Sequence, residues 1–172
     1  RRDRIGVGTI AVVMFLYSMY SAKWMIFPPD VESTNRAGPD HTCRQSTGFT
    51  CAPASCVSLL SYHGVDATEG EMAKLCLTYG FGTTPFNTYR GLVLKLRGKP
   101  YEVKMLDAAI ETLRELGVPA IVGDWMIHAI VGRIEGDSVL INNPLSCGVG
   151  RVPVDEFAEY LSGTAIVVLP AH

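Results

Sequence analysis

The spacing of apolar residues changes well past the midpoint of this 172-residue chain, and no other feature limits its fold as much. Up to Leu116 the apolar positions mostly recur at helical spacing. From Ala120 onward they fall into short β-branched runs separated by turn residues. The helix candidates begin with Cys51–His63, which has Pro53 in its first turn, where a missing N–H does no harm, and Gly64 as its stop. Thr68–Thr78 carries Thr68 and Glu71 in capping-box spacing. After the glycine-rich loop Tyr79–Pro85 come Asn87–Leu96 and, beyond a short strand at Tyr101–Met105, Asp107–Leu116, which Gly117 ends. Strand candidates follow at Ala120–Val122, His128–Glu135, Ser138–Asn142 and Ala165–Leu169, broken by turns such as Glu135-Gly136-Asp137 and by one more helix, Val154–Leu161. Helices first and an antiparallel sheet afterwards is the order of an α+β domain.

Ahead of that domain, Ile5 to Tyr20 contains no charge, and the apolar stretch continues to Phe27 with only Lys23 interrupting it. Crossing the hydrocarbon core of a bilayer takes about 20 helical residues. Residues 5–27 suffice, with Tyr17, Tyr20 and Trp24 suited to the interfacial belt, so residues 1–27 are expected to hold a single transmembrane helix in contact with lipid. A cleavable signal peptide is the alternative, because Arg1, Arg2 and Arg4 resemble its basic region. The apolar stretch is long for such a peptide, which favours a retained anchor. The three arginines precede the span and Asp30 and Glu32 follow it, so the positive-inside rule puts the N-terminus in the cytoplasm and the globular part outside. The first residue is Arg and not Met, so residues upstream are expected. Pro28–Thr42 is polar with three prolines and reads as a linker or extended arm, leaving 43–172 for the folded domain.

A formal net charge of −2 gives no electrostatic footprint for nucleic acid. No phosphate loop or dinucleotide fingerprint occurs, so neither a cofactor nor an attached ATPase is expected. The cysteines lack a C-x2-C pair, so no metal site is expected either. The chemistry that remains is that of a thiol. Gln45 to Ser55 reads Q-S-T-G-F-T-C-A-P-A-S, with Cys51 at the start of a predicted helix. The thiolate is the nucleophilic form of cysteine, and a helix N-terminus favours it. A Gln just upstream can aim its amide at the oxyanion formed when a thiolate attacks a carbonyl. Without that setting Cys51 would be an ordinary core thiol. Of the four histidines, His41 lies in the arm, His63 at a helix end and His172 at the terminus. His128 opens a predicted strand, where its alternative is a core histidine.

In this arrangement the chain resembles the C39 branch of the papain-like cysteine peptidases, whose best-known members trim double-glycine leader peptides inside ABC exporters. Gln45 and Cys51 match the family's Q-x5-C, and C-A-P-A-S follows where the family has C-G-x-A-S, so Ala52 replaces a glycine. Gly82-Thr83-Thr84 resembles the family's turn before the third helix, and Gly117-Val118-Pro119-Ala120-Ile121 its entry to the sheet. His128-Ala129-Ile130-Val131-Gly132 resembles the strand that carries the general base. The family's Asp-Pro is here Asn143-Pro144, with the acid replaced by its amide. The resemblance implies a papain-like fold, helices packed on an antiparallel sheet. It gives Cys51 as nucleophile, His128 as base, Asn143 as the residue orienting His128, and Gln45 as an oxyanion donor. Cys-His-Asn sets do sustain this chemistry. Asn142 projects from the opposite strand face to Asn143 and is expected in a turn or at the surface.

Five cysteines leave one unpaired in an oxidising compartment. With Cys51 as the nucleophile, Cys56 and Cys76 on consecutive helices form one candidate disulfide, and Cys43 with Cys147 the other. Five reduced thiols are the alternative. Two functions follow. One is a membrane-anchored thiol peptidase acting on a peptide or protein substrate, after glycine-rich leader or tail sequences. The other is an inactive subunit that docks with further subunits of a membrane complex, which the substitutions at Ala52 and Asn143 and the helix-packing glycines Gly6 and Gly8 would allow.

Overall fold

The computed structural model describes residues 8–19, 30–123, 129–146 and 148–171. A short helix, α1 (residues 8–19), is followed by α2 (Cys51–Tyr62), α3 (Glu69–Leu75) and α4 (Pro85–Lys95). Then come β1 (Tyr101–Asp107), α5 (Ile110–Leu116), β2 (Ala120–Gly123), β3 (Ala129–Glu135), β4 (Ser138–Asn143), β5 (Gly148–Pro153), α6 (Val154–Tyr160) and β6 (Ser162–Pro170). The strands form one sheet in the order β1-β6-β2-β3-β4-β5, every neighbouring pair antiparallel.

Strand side chains alternate between faces, and the two cores divide on that alternation. Ile121, Val131, Ile166 and Val168 lie with Val57, Leu59 and Leu60 of α2, Met72 of α3 and Leu92 of α4. Their neighbours Ala120, Val122, Ile130, Ala165 and Val167 lie with Leu113 of α5 and Val154 and Phe157 of α6. Gly132 makes room for the Phe157 ring, because a Cβ there would meet its Cζ at 3.2 Å.

The predicted α+β order is the observed one, with differences at the edges. β1 runs on to Asp107, so α5 begins only at Ile110. Thr84 caps α4 by accepting from Asn87 N–H, and Pro85 occupies the first turn, which starts that helix before Asn87. The edge strand β5 was not foreseen. Its sequence, Gly148-Val149-Gly150-Arg151-Val152-Pro153, is poor in strand formers and takes its conformation from pairing with β4. Gly64 and Gly117 stop their helices in the left-handed region, at φ 65° and 62°.

Among the described residues no helix is long and apolar enough to cross a membrane. The expected span covered 5–27, and its flanks on either side of α1 lie outside the described residues. Within α1, Ile10, Val12, Val13, Met14, Phe15, Leu16, Tyr17 and Met19 are all exposed, so no side of the helix is packed against the domain.

The predicted Cys56–Cys76 disulfide is corrected by the structure: both are free, fully buried thiols. The two thiols lie where α2, α3 and α4 converge, Cys76 Sγ donates to Thr88 O at 4.0 Å, and burial pushes the Cys56 thiol well up. Gly91 of α4 lies directly against Cys76 Sγ, so the helices pack tightly around the pair. Cys43 is also a free, buried thiol, and its expected partner Cys147 lies outside the described residues.

Candidate active site

The chain enters α2 through the loop 45–50, which hydrogen bonds hold in shape. The buried Thr50 hydroxyl lies 3.2 Å from both Thr47 N and Thr47 O and 3.0 Å from Thr47 Oγ1. Its oxygen is therefore taken, and no side chain caps α2. Ala54 N–H makes the first helical bond, to Thr50 O at 3.1 Å. Pro53 has no N–H, so the open end of the helix presents the N–H groups of Cys51 and Ala52. Cys51 is half-buried at this first position, and no acidic residue stands in the first turn to oppose a negative charge. Ala52, where the family has glycine, sits in plain helical backbone with a negative φ, so alanine brings no conformational strain there.

Gln45 is half-buried. Its Nε2 donates to Thr47 O at 2.8 Å. An amide nitrogen carries two hydrogens, and this bond uses one. Its backbone N–H donates to Pro144 O at 3.1 Å, which ties the loop before Cys51 to the chain leaving β4. Asn143, at the end of β4, is half-buried, and its Oδ1 accepts from Leu145 N–H at 2.9 Å. That local turn fixes the amide plane. Carbonyl oxygens have two lone pairs, so Oδ1 keeps capacity for a second donor. Gln45, Cys51 and the Asn143–Pro144 corner are thus linked through one backbone hydrogen bond and one short loop. His128 lies outside the described residues; β3 begins at the next residue, Ala129.

Asn142 is not the turn or surface residue expected. It is 1% exposed and anchors a network on the face covered by α2. Tyr62 OH donates to Asn142 Oδ1 at 2.8 Å. Asn142 Nδ2 donates to Asp40 O at 2.9 Å and to Thr42 Oγ1 at 2.8 Å. The His41 ring stacks on Tyr62 with centroids 4.1 Å apart, and burial pushes the Tyr62 phenol up, keeping it a donor. Asn142 therefore joins the C-terminal end of α2, the arm and β4. Alternation along the strand correctly separated the two asparagines by face. Placing the buried face on Asn142 needed the position of α2, which the local pattern does not contain.

Residues 30–42 have neither helix nor strand, yet Val31 is buried against α3. The arm meets Glu69, a residue not singled out from the sequence, whose side chain is wholly buried. Glu69 Oε1 accepts from Ser46 N–H at 2.7 Å and Oε2 from Asn35 Nδ2 at 3.3 Å. Capping-box spacing drew attention to Thr68 and Glu71 instead. Thr68 does accept from Glu71 N–H at 3.2 Å, whereas the Glu71 carboxylate pairs with Lys95.

A thiol opening a helix that packs on an antiparallel sheet, with a Gln before it and a strand-end Asn beside that Gln, defines a papain-like cysteine peptidase domain. The model of the peptidase C39 family matches residues 40–172, and the chain belongs to that family. An uncharacterized protein of Methanothermobacter marburgensis is 28% identical over 132 residues, covering 76% of this chain and 89% of that protein. Another, of Methanothermobacter thermautotrophicus, is 25% identical over 134 residues. Among solved structures, a double glycine motif protease from an AMS/PCAT transporter, in complex with its leader peptide, superposes with a TM-score of 0.67 at 22% identity. That match covers 80% of this chain and 95% of that one. The peptidase domain of Streptococcus ComA, a bifunctional ABC transporter of a quorum sensing pathway, gives 0.63 at 24% identity over 74% and 96%. These structural likenesses establish the fold.

Proposed function

We propose that this chain is a membrane-anchored thiol peptidase. The observation that carries the reading is Cys51 at the uncapped start of α2, with Gln45 tied to the Asn143–Pro144 corner by the 3.1 Å bond to Pro144 O. In the reaction, Cys51 gives its proton to His128 and attacks the scissile carbonyl carbon. The oxyanion is held by the Cys51 N–H and by Gln45 Nε2. The tetrahedral intermediate collapses as His128 returns the proton to the leaving amine, and water releases the acyl group by the reverse sequence. Asn143 accepts a hydrogen bond from the His128 ring and sets its tautomer. As a neutral amide it orients the imidazolium without adding a charge to stabilise it. The substrate class is a peptide cut after a glycine-rich leader or tail, by analogy with the double glycine motif protease of the same fold. Incubation with peptides carrying Gly-Gly at the cleavage position, analysed by mass spectrometry, tests this. Cleavage that disappears in Cys51→Ala is the expected result, and no cleavage of any such peptide by folded protein sinks the reading.

Anchoring rests on α1. A helix that is apolar all round belongs in lipid or between other helices, and residues 8–19 have exposed apolar side chains on every side. Residues 5–27 form the anchor in this reading, with the peptidase domain outside the cytoplasm. Retention of the protein in membranes washed with alkaline carbonate is expected, and release into the wash would count against it. The same apolar helix, with Asn143 in place of an acid, also suits an inactive subunit that docks among other membrane helices. Co-purification of defined membrane subunits with a chain that cleaves nothing would favour that second reading.

A further inference from the structure

Three consecutive residues of the loop before Cys51 have their backbone held from outside the loop. Arg44 O accepts from Asn35 Nδ2 at 2.9 Å, Gln45 N–H donates to Pro144 O at 3.1 Å, and Ser46 N–H donates to Glu69 Oε1 at 2.7 Å. The first and third bonds meet, because Asn35 Nδ2 also donates to Glu69 Oε2 at 3.3 Å. The amide nitrogen of Asn35 thus spends one hydrogen on Arg44 O and one on the carboxylate, and the carboxylate receives an N–H on each of its oxygens. The backbone of Asn35 is itself fixed. Its carbonyl accepts from Glu69 N–H at 2.9 Å, and Ser33 O accepts from Gly70 N–H at 3.0 Å. Gly70 permits that contact, since a Cβ there would run into the carbonyl oxygens of Val31 and Ser33.

A wholly buried carboxylate is costly unless it is fully hydrogen-bonded, so its presence beside this loop calls for a role. We propose that Asn35 and Glu69 form a clamp that positions Gln45, gripping the residue before it by its carbonyl and the residue after it by its N–H. Both are positioning residues, since neither touches the reacting atoms. Their target is the direction of the Gln45 side chain, so the inference rests on Gln45 being the oxyanion donor. Asn35 lies ahead of the residues that match the family model, which begin at 40. The arm is therefore part of the catalytic apparatus and does more than connect the domain to α1.

The clamp and the peptidase reading are tested separately on the full chain in detergent micelles. Amide hydrogen exchange at Gln45 and Ser46 is compared in the wild type, Asn35→Ala, Glu69→Gln and Glu69→Ala. Loss of a charge-assisted bond is expected to speed exchange there by about tenfold or more while β2 and β6 stay protected. Glu69→Gln keeps an oxygen for Ser46 N–H and is expected to fall between the wild type and Glu69→Ala. If Glu69→Ala loses protection throughout the chain, Asn35→Ala and Glu69→Gln decide the matter. Unchanged exchange in both of those overturns the clamp.

Turnover of a fluorogenic peptide ending in Gly-Gly-aminomethylcoumarin supplies the second readout. Asn35→Ala is expected to lower kcat by roughly 100-fold, the loss that a misplacement of about 1 Å brings. KM should hold within about twofold, because the clamp acts on transition-state stabilisation alone. Cys51 should react with iodoacetamide at the wild-type rate. In a Gln45→Ala background the same substitution should change kcat little. An equal loss in both backgrounds overturns the clamp as a device acting through Gln45. A wild type that leaves the peptide intact, while exchange at Ser46 responds as expected, refutes the peptidase reading and leaves the clamp standing.

Discussion

Replacing each of two adjacent asparagines by alanine should produce opposite kinds of damage, because Asn142 supports the fold and Asn143 is proposed to serve the site. Asn142→Ala removes the acceptor for Tyr62 OH and the donor to Asp40 O and Thr42 Oγ1, three bonds in all. A net hydrogen bond contributes about 0.5–1.5 kcal/mol, so the three amount to roughly 1.5–4.5 kcal/mol. Asp40 is exposed and Tyr62 only half-buried, so water can replace part of what they lose. The buried Thr42 and the cavity left by a 1%-exposed side chain act the other way. A destabilisation of about 2–4 kcal/mol is expected, which for a domain of this size lowers Tm by roughly 5–15 °C. Among the described residues Asn143→Ala loses the local bond to Leu145 N–H at the end of a strand, which should cost about 1 kcal/mol. Urea denaturation followed by tryptophan fluorescence gives both numbers. Tyr62→Phe, alone and combined with Asn142→Ala, should yield a coupling of about 0.5–1.5 kcal/mol. If Asn142→Ala unfolds within about 0.5 kcal/mol of the wild type, the network is not a structural joint. If Asn143→Ala is the more destabilising of the pair, the division of labour is wrong.

Other groups in the domain give further expected outcomes. Burial and the neighbouring Glu69 carboxylate push the Cys43 thiol up to about 12 from an ordinary value of 9.0. The folded chain therefore holds that proton where the unfolded chain releases it. The associated stability is complete below about pH 9 and declines as pH rises toward about 12, by at most ~1.4 kcal/mol per pH unit. Urea midpoints measured from pH 8 upward should show this decline, and Cys43→Ala should flatten it. Gly91→Ala would drive a methyl group against Cys76 Sγ and its backbone, and should destabilise by about 1–3 kcal/mol in the same urea assay. Gly70→Ala should push the arm off α3 and raise amide exchange at Asn35 and Ser46, whereas Gly48→Ala, with open space around it, should leave both unchanged. At pH 7.5 a maleimide should modify Cys51 in the folded chain and reach Cys43, Cys56 and Cys76 only after denaturant is added, as mass mapping would show.

Most of the architecture was legible because it depends on short-range chemistry. Gly64 and Gly117 end helices with the positive φ that glycine tolerates, and Thr68 caps α3 with its own hydroxyl. Period-2 runs such as Ala120-Ile121-Val122 divide their side chains between two cores. Gln45 and Cys51 stood out by their spacing in the chain, and Asn143-Pro144 through its resemblance to the family's Asp-Pro, one residue past the expected end of a strand. What escaped was long-range. Glu69 looks like any acidic residue of a first helical turn, and only the arrival of Asn35 and Ser46 makes it a buried junction. Asn142 could be set apart from Asn143 by face, but which face α2 covers is settled by packing. The Cys56–Cys76 disulfide was inferred from helix adjacency, and adjacency brings thiols together without oxidising them. β5 had no signal of its own, since an edge strand containing two glycines is held by its partner.

The central claim is that Cys51 is a working nucleophile paired with His128. Incubating the folded chain with a thiol-directed peptide probe, such as a Gly-Gly aldehyde carrying a fluorophore, and mapping the adduct tests it directly. Stoichiometric attachment at Cys51 is expected, lost in His128→Ala and in Cys51→Ala with the fold intact in both. A Cys51 that stays unlabelled in folded wild-type protein, or that labels equally well without His128, would contradict it.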